Sequence, residues 1–196
     1  MPGMFDPMTE LARQHHAFAA YLDLEAISPT KHEYLDGLVW ARAGGSPEHA
    51  AIAVNVAVLL SAALRDQPCR VYSSDLRVRV KATGLATYPD ISVVCGKLET
   101  DPDDPGGNTA VNPTLLVEVL SPSTEDYDRG EKLAHYKRIA SIREVLLVAH
   151  DERRLELWTK TATGWTLEVV RGEASLQLHS LGCVLDLAEV YRDPLV

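Results

Sequence analysis

Glu118 stands in the middle of the run Thr114-Leu115-Leu116-Val117-Glu118-Val119-Leu120, which is otherwise apolar. A short run apolar at consecutive positions reads as a strand buried on both faces, the kind found at the centre of an α/β sheet. A carboxylate on such a strand is costly unless something cationic compensates it. Something cationic, a metal ion or an arginine, is therefore expected beside it. A second acid, Asp90, sits in Tyr88-Pro89-Asp90 just ahead of another Val-rich run, Ile91-Ser92-Val93-Val94-Cys95. Lys132 follows a turn rich in Ser, Thr and Asp and falls early in an expected helix. Two carboxylates on neighbouring strands with a lysine nearby suit a one-metal site for phosphodiester cleavage.

The flanking elements read as follows. Thr9 to Asp23 has helical spacing of Leu11, Phe18, Tyr21 and Leu22, with Thr9 as N-cap and His15-His16 as a solvated pair. Glu33 to Trp40 predicts a hairpin, because Asp36-Gly37 favours a tight primed turn. Ser46-Pro47 opens a helix running to about Leu64, with serine as cap and proline at the first helical position. That helix is apolar on most sides and is expected to be central. Cys69–Ser73, Leu76–Lys81 and Ile91–Cys95 predict strands, the second with one charged face. Glu99 to Asn112 is a long Pro/Gly/Asp-rich loop, expected to be mobile or functional. Asp128-Arg129-Gly130-Glu131 resembles a capping box that opens a helix to about Ile139. Val145–Ala149 predicts a buried strand, Arg154–Val170 a hairpin, and the chain closes with a short strand near Val184 and a helical turn.

At 196 residues the chain is read as one domain, with a core over about 21–191. No stretch is apolar for long enough to span a membrane, and the N-terminus lacks the pattern of a secretory signal. Cys69, Cys95 and Cys183 form no CxxC pair, so neither a zinc site nor a disulfide framework is expected, and a cytoplasmic location follows. The net charge of −9 counts against a broad electrostatic nucleic-acid footprint but leaves room for a local basic strip.

Several segments together resemble one family. They are Tyr34-Leu35-Asp36-Gly37, Ser46-Pro47-Glu48-His49, Ser73-Ser74-Asp75-Leu76-Arg77-Val78, Tyr88-Pro89-Asp90, Asn112-Pro113-Thr114, Val117 through Thr124, Asp128 through Lys132, and Tyr136. They look like the Uma-type restriction endonuclease family of the PD-(D/E)XK nuclease superfamily, and the likeness extends from about Tyr21 to Tyr191. It implies a restriction-endonuclease-like α/β fold, a mixed β-sheet flanked by helices, here with an additional β-hairpin region. It also implies a metal-dependent endonuclease acting on nucleic acid, most simply DNA, with Mg²⁺ or Mn²⁺ as cofactor and a homodimer as the assembly. Asp90 and Glu118 match the superfamily's two acidic positions. The lysine expected two residues after the second acid is Leu120 here, and the resemblance assigns its role to Lys132. Glu33 matches a further acidic position near the N-terminal helix.

On this reading Asp90, Glu118 and the Val119 carbonyl hold the ion, while Lys132 and Glu33 assist catalysis. A lysine reaches about 6 Å, comparable with about two strand rises, so an early position in the helix after the Glu118 strand is within reach. Each residue has a blander alternative. Asp90 is a turn former, Glu118 an ion-pair partner of an arginine, Lys132 a solvated helix residue, and Glu33 a solvent-facing hairpin residue. Asp75 either pairs with an arginine or lines the cleft. Tyr136, one helical turn beyond Lys132 on the same face, either reaches the cleft or packs in the core. His49 reads as a packing or capping residue, and Cys95 as core. A catalytically weak, nucleic-acid-binding or regulatory module is the alternative to an enzyme.

Overall fold

In the computed structural model, which describes residues 15–42 and 44–193, two larger sheets and a two-stranded ribbon pack with helices into a mixed α/β architecture. The elements are α1 (Phe18–Ile27), β1 (His32–Leu35), β2 (Leu38–Ala41), α2 (Pro47–Ala63), β3 (Cys69–Ser73), β4 (Arg77–Arg79), β5 (Ala86–Thr87), β6 (Ile91–Cys95), β7 (Thr109–Ala110) and β8 (Leu115–Val119). A compound helix follows: α3 (Glu125–Tyr127), a π-helical turn (Asp128–Lys132) and α4 (Leu133–Tyr136). Then come β9 (Glu144–Val148), β10 (Arg154–Thr161), β11 (Gly164–Arg171), β12 (Ser175–Leu178), β13 (Cys183–Asp186) and α5 (Leu187–Val190).

The six-stranded sheet has the order β11-β10-β9-β8-β6-β3, and the run around Glu118 is its interior strand β8. Every residue of β8 is buried, as its two-faced apolar pattern requires. β8 is antiparallel to β6 and parallel to β9. A parallel pair needs a crossover, and the crossover here is the compound helix. That connection returns the chain over the C-terminal end of β8 and places Lys132 there. The second sheet, β2-β1-β5-β4-β7, contributes Glu33 from β1 and Thr87 from β5.

Local signals hold where they depend on neighbours in sequence. Asp36 (φ 46°) and Gly37 (φ 84°) are both left-handed, as a type I′ turn needs, and they join β1 to β2. The Ser46 hydroxyl accepts the His49 backbone N–H and Pro47 is the first residue of α2. Several expectations require correction. His15 to Ala17 are not helical, because the His16 N–H is given to the Gly37 carbonyl, and α1 runs from Phe18 past Asp23 to Ile27. Thr9 lies outside the described residues. α2 is not buried all round: Ile52, Val56 and Leu60 face the core, while Val54 and Val58 are each 61% exposed. Asp128 caps no helix; it lies inside the π turn and its carboxylate accepts from Lys132.

On the charged face of the Leu76–Lys81 segment Arg77 and Arg79 are covered while Lys81 stays exposed, and only Arg77–Arg79 is strand. The long acidic loop folds over it: Asp104 pairs with Arg77, and Asp101 pairs with Arg79 and Lys81. Asp101 and Asp104 are buried, so the loop is a structural clamp. Cys69 and Cys95 are joined in a disulfide, contrary to the sequence expectation. They are register partners on β3 and β6, a relation visible only once the strands are paired. The disulfide removes the cysteine-based argument for a reducing compartment. Cys183 is free and buried. Among the described residues no helix is long and apolar enough to cross a membrane.

Candidate active site

Asp90 immediately precedes β6, and Glu118 is the fourth residue of β8. Pairing of these strands sets both carboxylates at the same end of the sheet, and one Asp90 oxygen accepts the backbone N–H of Val119 at 2.8 Å. Both acids line a cavity of about 500 Å³, together with Glu33, Asp128, Lys132, Arg42 and His49. The cavity lies between the end of the central strands, the β2–α2 connection and the compound helix.

Lys132 is 4% exposed, which rules out the solvated-helix alternative. Its Nζ lies 2.9 Å from Glu118 Oε1, 3.2 Å from Asp128 Oδ1 and 3.5 Å from Glu33 Oε1. The cation that Glu118 required is thus a lysine from the crossover. The Tyr136 hydroxyl donates to Glu118 Oε1 at 2.5 Å, while its ring packs in the core below. Tyr136 is thus a core residue that does not itself line the cavity but bonds a carboxylate that does, and the i to i+4 spacing aims two donors at that carboxylate. Glu33 is buried and points inward: its Oε1 accepts from Thr87 Oγ1 at 2.6 Å and its Oε2 from the Tyr127 hydroxyl at 3.3 Å. Asp75 is not brought into the site. Its side chain is 85% exposed and pairs with Lys31.

Arg42 and His49 were not foreseen as site residues. Arg42 donates to Asp90 Oδ1 at 2.5 Å, and His49 Nε2 lies 3.1 Å from Asp90 Oδ2. Gly45 makes this possible, since a Cβ there would stand 2.5 Å from the His49 ring. The signal for His49 was present in Ser46-Pro47-Glu48-His49: the first turn of a capped helix points back toward whatever lies ahead of it. Arg42 carried no local signal.

Electrostatically the two acids differ. Burial pushes Asp90 up, but His49, Arg42 and the Val119 N–H together hold it below the ordinary aspartate value. Asp90 in turn raises His49. Glu118 is 2% exposed, and its pKa is pushed up to about 7 by burial. Lys132 opposes that rise, and Asp90 and Asp128 add to it. Lys132 is held well above its ordinary value: burial pushes it down, but the surrounding carboxylates outweigh burial. Four carboxylates in the cavity wall face Arg42, Lys132 and one histidine, which leaves an excess of negative charge at Glu118.

Among the described residues, no three His, Cys, Asp or Glu side chains are already grouped around a metal position. The donor chemistry nevertheless fits a hard divalent cation. Asp90 and Glu118 are carboxylates facing one cavity, the Val119 carbonyl is adjacent, and Glu118 lacks full compensation.

Residues 18–188 match the family described as "Putative restriction endonuclease", Uma2. The chain belongs to the Uma2 family. Two Synechocystis proteins are similar to it over most of their length. The uncharacterized protein slr1290 is 36% identical over 174 residues, covering 88% of this chain and 89% of that one. The uncharacterized protein sll1609 is 30% identical over 156 residues, covering 79% and 87%. Among solved structures, a "putative nuclease belonging to DUF820" from Anabaena variabilis superposes with a TM-score of 0.69 at 19% identity, covering 87% of this chain and 96% of that one. That likeness shows a shared mixed α/β fold. Uma2 membership places the restriction-endonuclease resemblance on nearly the whole chain.

Proposed function

We propose that this Uma2 protein is a divalent-metal-dependent endonuclease that hydrolyses phosphodiester bonds in DNA. One observation carries the reading: Asp90 and Glu118 arrive from adjacent strands in one cavity, and Lys132 lies 2.9 Å from Glu118. Asp90, Glu118 and the Val119 carbonyl would hold Mg²⁺ or Mn²⁺, which when bound polarises phosphoryl oxygens and makes water more acidic. The chain's own groups supply the rest. Lys132 orients a water beside Glu118 and offsets charge growing on the phosphate. Tyr136 fixes the Glu118 rotamer, while Glu33 and Asp128 hold the ammonium in place from its other sides. Arg42 and His49 put positive charge on the far side of Asp90, where a phosphate oxygen is best received. A two-fold homodimer would present one such site to each strand of a duplex.

The test is cleavage of plasmid DNA, single-stranded DNA and RNA with Mg²⁺ or Mn²⁺, comparing the wild type with Asp90→Asn and Glu118→Gln. Cleavage of DNA that needs the metal and disappears in both variants is expected. A second reading, a nucleic-acid-binding or regulatory module, is favoured by one feature: Arg42, His49 and Lys132 already hold both acids. A folded wild type that binds DNA without cutting it, with affinity unchanged in Asp90→Asn, would replace the first reading with the second.

A further inference from the structure

The cavity has an apolar half that phosphodiester chemistry does not use. Ala50, Ala53, Val54 and Ala57 all line it. They recur at i, i+3, i+4 and i+7 along α2, so they form one stripe of that helix. This is a second stripe, distinct from the Ile52, Val56 and Leu60 face that α2 gives to the core. Val54 stays 61% exposed at the rim. Trp40 and Tyr127 line the same cavity, with ring centroids 6.4 Å apart in an edge-to-face arrangement. Ala53, Ala57 and Trp40 also touch the core behind them, but on the cavity side this apolar surface with its two aromatic rings is open and continuous with Asp90 and Glu118 among the described residues.

Charge indicates what occupies it. A nuclease that holds duplex through its backbone gains affinity from Lys and Arg set against phosphates. This chain carries −9 overall, and acids dominate the cavity wall. Affinity therefore has to come from burying something flat and apolar beside the phosphate. In a stacked duplex the faces of the bases are covered; they become available only in a single strand or in an extruded nucleotide. We infer that the α2 stripe with Trp40 and Tyr127 is a nucleobase subsite, and that the preferred substrate presents an unpaired nucleotide, as single-stranded DNA does. The inference rests on the endonuclease reading for the identity of its ligand and deepens it.

The experiment is fluorescence anisotropy in EDTA, where no turnover occurs. It compares a labelled oligothymidylate of about twelve nucleotides, within the usual site size, with a blunt duplex of the same length. The single strand is expected to bind at least about tenfold more tightly, in line with one stacked base. Ala53→Phe fills the subsite and is expected to remove that preference. Val54→Lys, at an exposed position that keeps the fold, should weaken single-strand binding although it adds a positive charge. Equal affinity for the two forms, or single-strand binding unchanged or strengthened in Val54→Lys, overturns the subsite. The two readings fail separately. A protein that binds the single strand preferentially but never cuts loses the nuclease and keeps the subsite. One that cuts with metal but binds both forms alike keeps the nuclease and loses the subsite.

Discussion

The clamp over Arg77 and Arg79 and the cluster around Glu118 both bury charge, and they balance it differently. In the clamp, Asp104 receives Arg77, the Thr109 hydroxyl and the backbone N–H groups of Gly106 and Asn108, and Asp101 receives Arg79 and Lys81. Burial pushes both aspartates up, yet these donors, with the Asp103 backbone N–H as the strongest at Asp101, hold them below the ordinary value. At the site, Glu118 has a lysine and a tyrosine and is still pushed up to about 7. The clamp acids are saturated with donors and do not line the cavity; the site acids outnumber their cations and do. A buried ion pair is therefore weak evidence of function by itself. Incomplete compensation beside an open cavity is the stronger sign.

The sharpest way to break this contrast is to remove one cation from each group. Lys132→Met leaves Glu118, Glu33 and Asp128 buried without it, and Arg77→Met leaves Asp104 without its guanidinium. Each should cost about 3–5 kcal/mol in urea unfolding. The folded fraction of Arg77→Met should keep its cleavage rate and that of Lys132→Met should lose it. Loss of cleavage in well-folded Arg77→Met would erase the distinction.

The pH dependence of stability should differ in sign. Glu118 has a folded pKa raised from its ordinary 4.5 to about 7, so its contribution is full below the ordinary value and is lost as pH rises through about 7. Asp101 and Asp104 are lowered, so their contribution is present above the ordinary aspartate value and is lost as pH falls through their folded values. Thermal melts across pH should show Glu118→Gln removing the loss between about 4.5 and 7, and Asp104→Asn reducing the loss on the acid side. Added Mg²⁺ should raise Tm more at pH 8 than at pH 5, because it competes with the Glu118 proton. Equal stabilisation at both pH values would count against Glu118 as a ligand.

Smaller effects refine the picture. Tyr136→Phe removes one donor from Glu118 and should cost about 1 kcal/mol, with the Glu118 titration seen by NMR moving higher still. Asp75→Asn touches an exposed pair with Lys31 and an exposed hydrogen bond from Ser73 and should change stability by under about 1 kcal/mol. Its cleavage should be unaltered; a loss would return Asp75 to the cleft.

How much was legible follows from where each cause lies. The Asp36-Gly37 turn and the Ser46-Pro47 cap were readable because backbone sterics and one side-chain hydrogen bond decide them within four residues. Glu118 was readable because an acid in an apolar strand demands a partner. The partner was less so, since Leu120 occupies the usual place and Lys132 acts across a crossover. Arg42 and His49 reach Asp90 from 48 and 41 positions away in the chain, a closeness no local pattern encodes. Asp75, though it stands beside Arg77 in a family motif, pairs instead with the remote Lys31, and the acidic loop takes Arg77 and Arg79.

By itself the sequence determined a mixed α/β chain with a doubly buried strand, an acid within it, a second acid ahead of a neighbouring strand, and a nearby lysine. These are consequences of hydrophobic period, turn chemistry and desolvation, all of which act over short stretches. Only the tertiary structure decided which charges neutralise one another, that Cys69 and Cys95 meet, and that α2 turns a second apolar stripe into the same cavity as Asp90 and Glu118. Those outcomes depend on strand register and on the path of the crossover, where segments remote in sequence compete for the same few carboxylates.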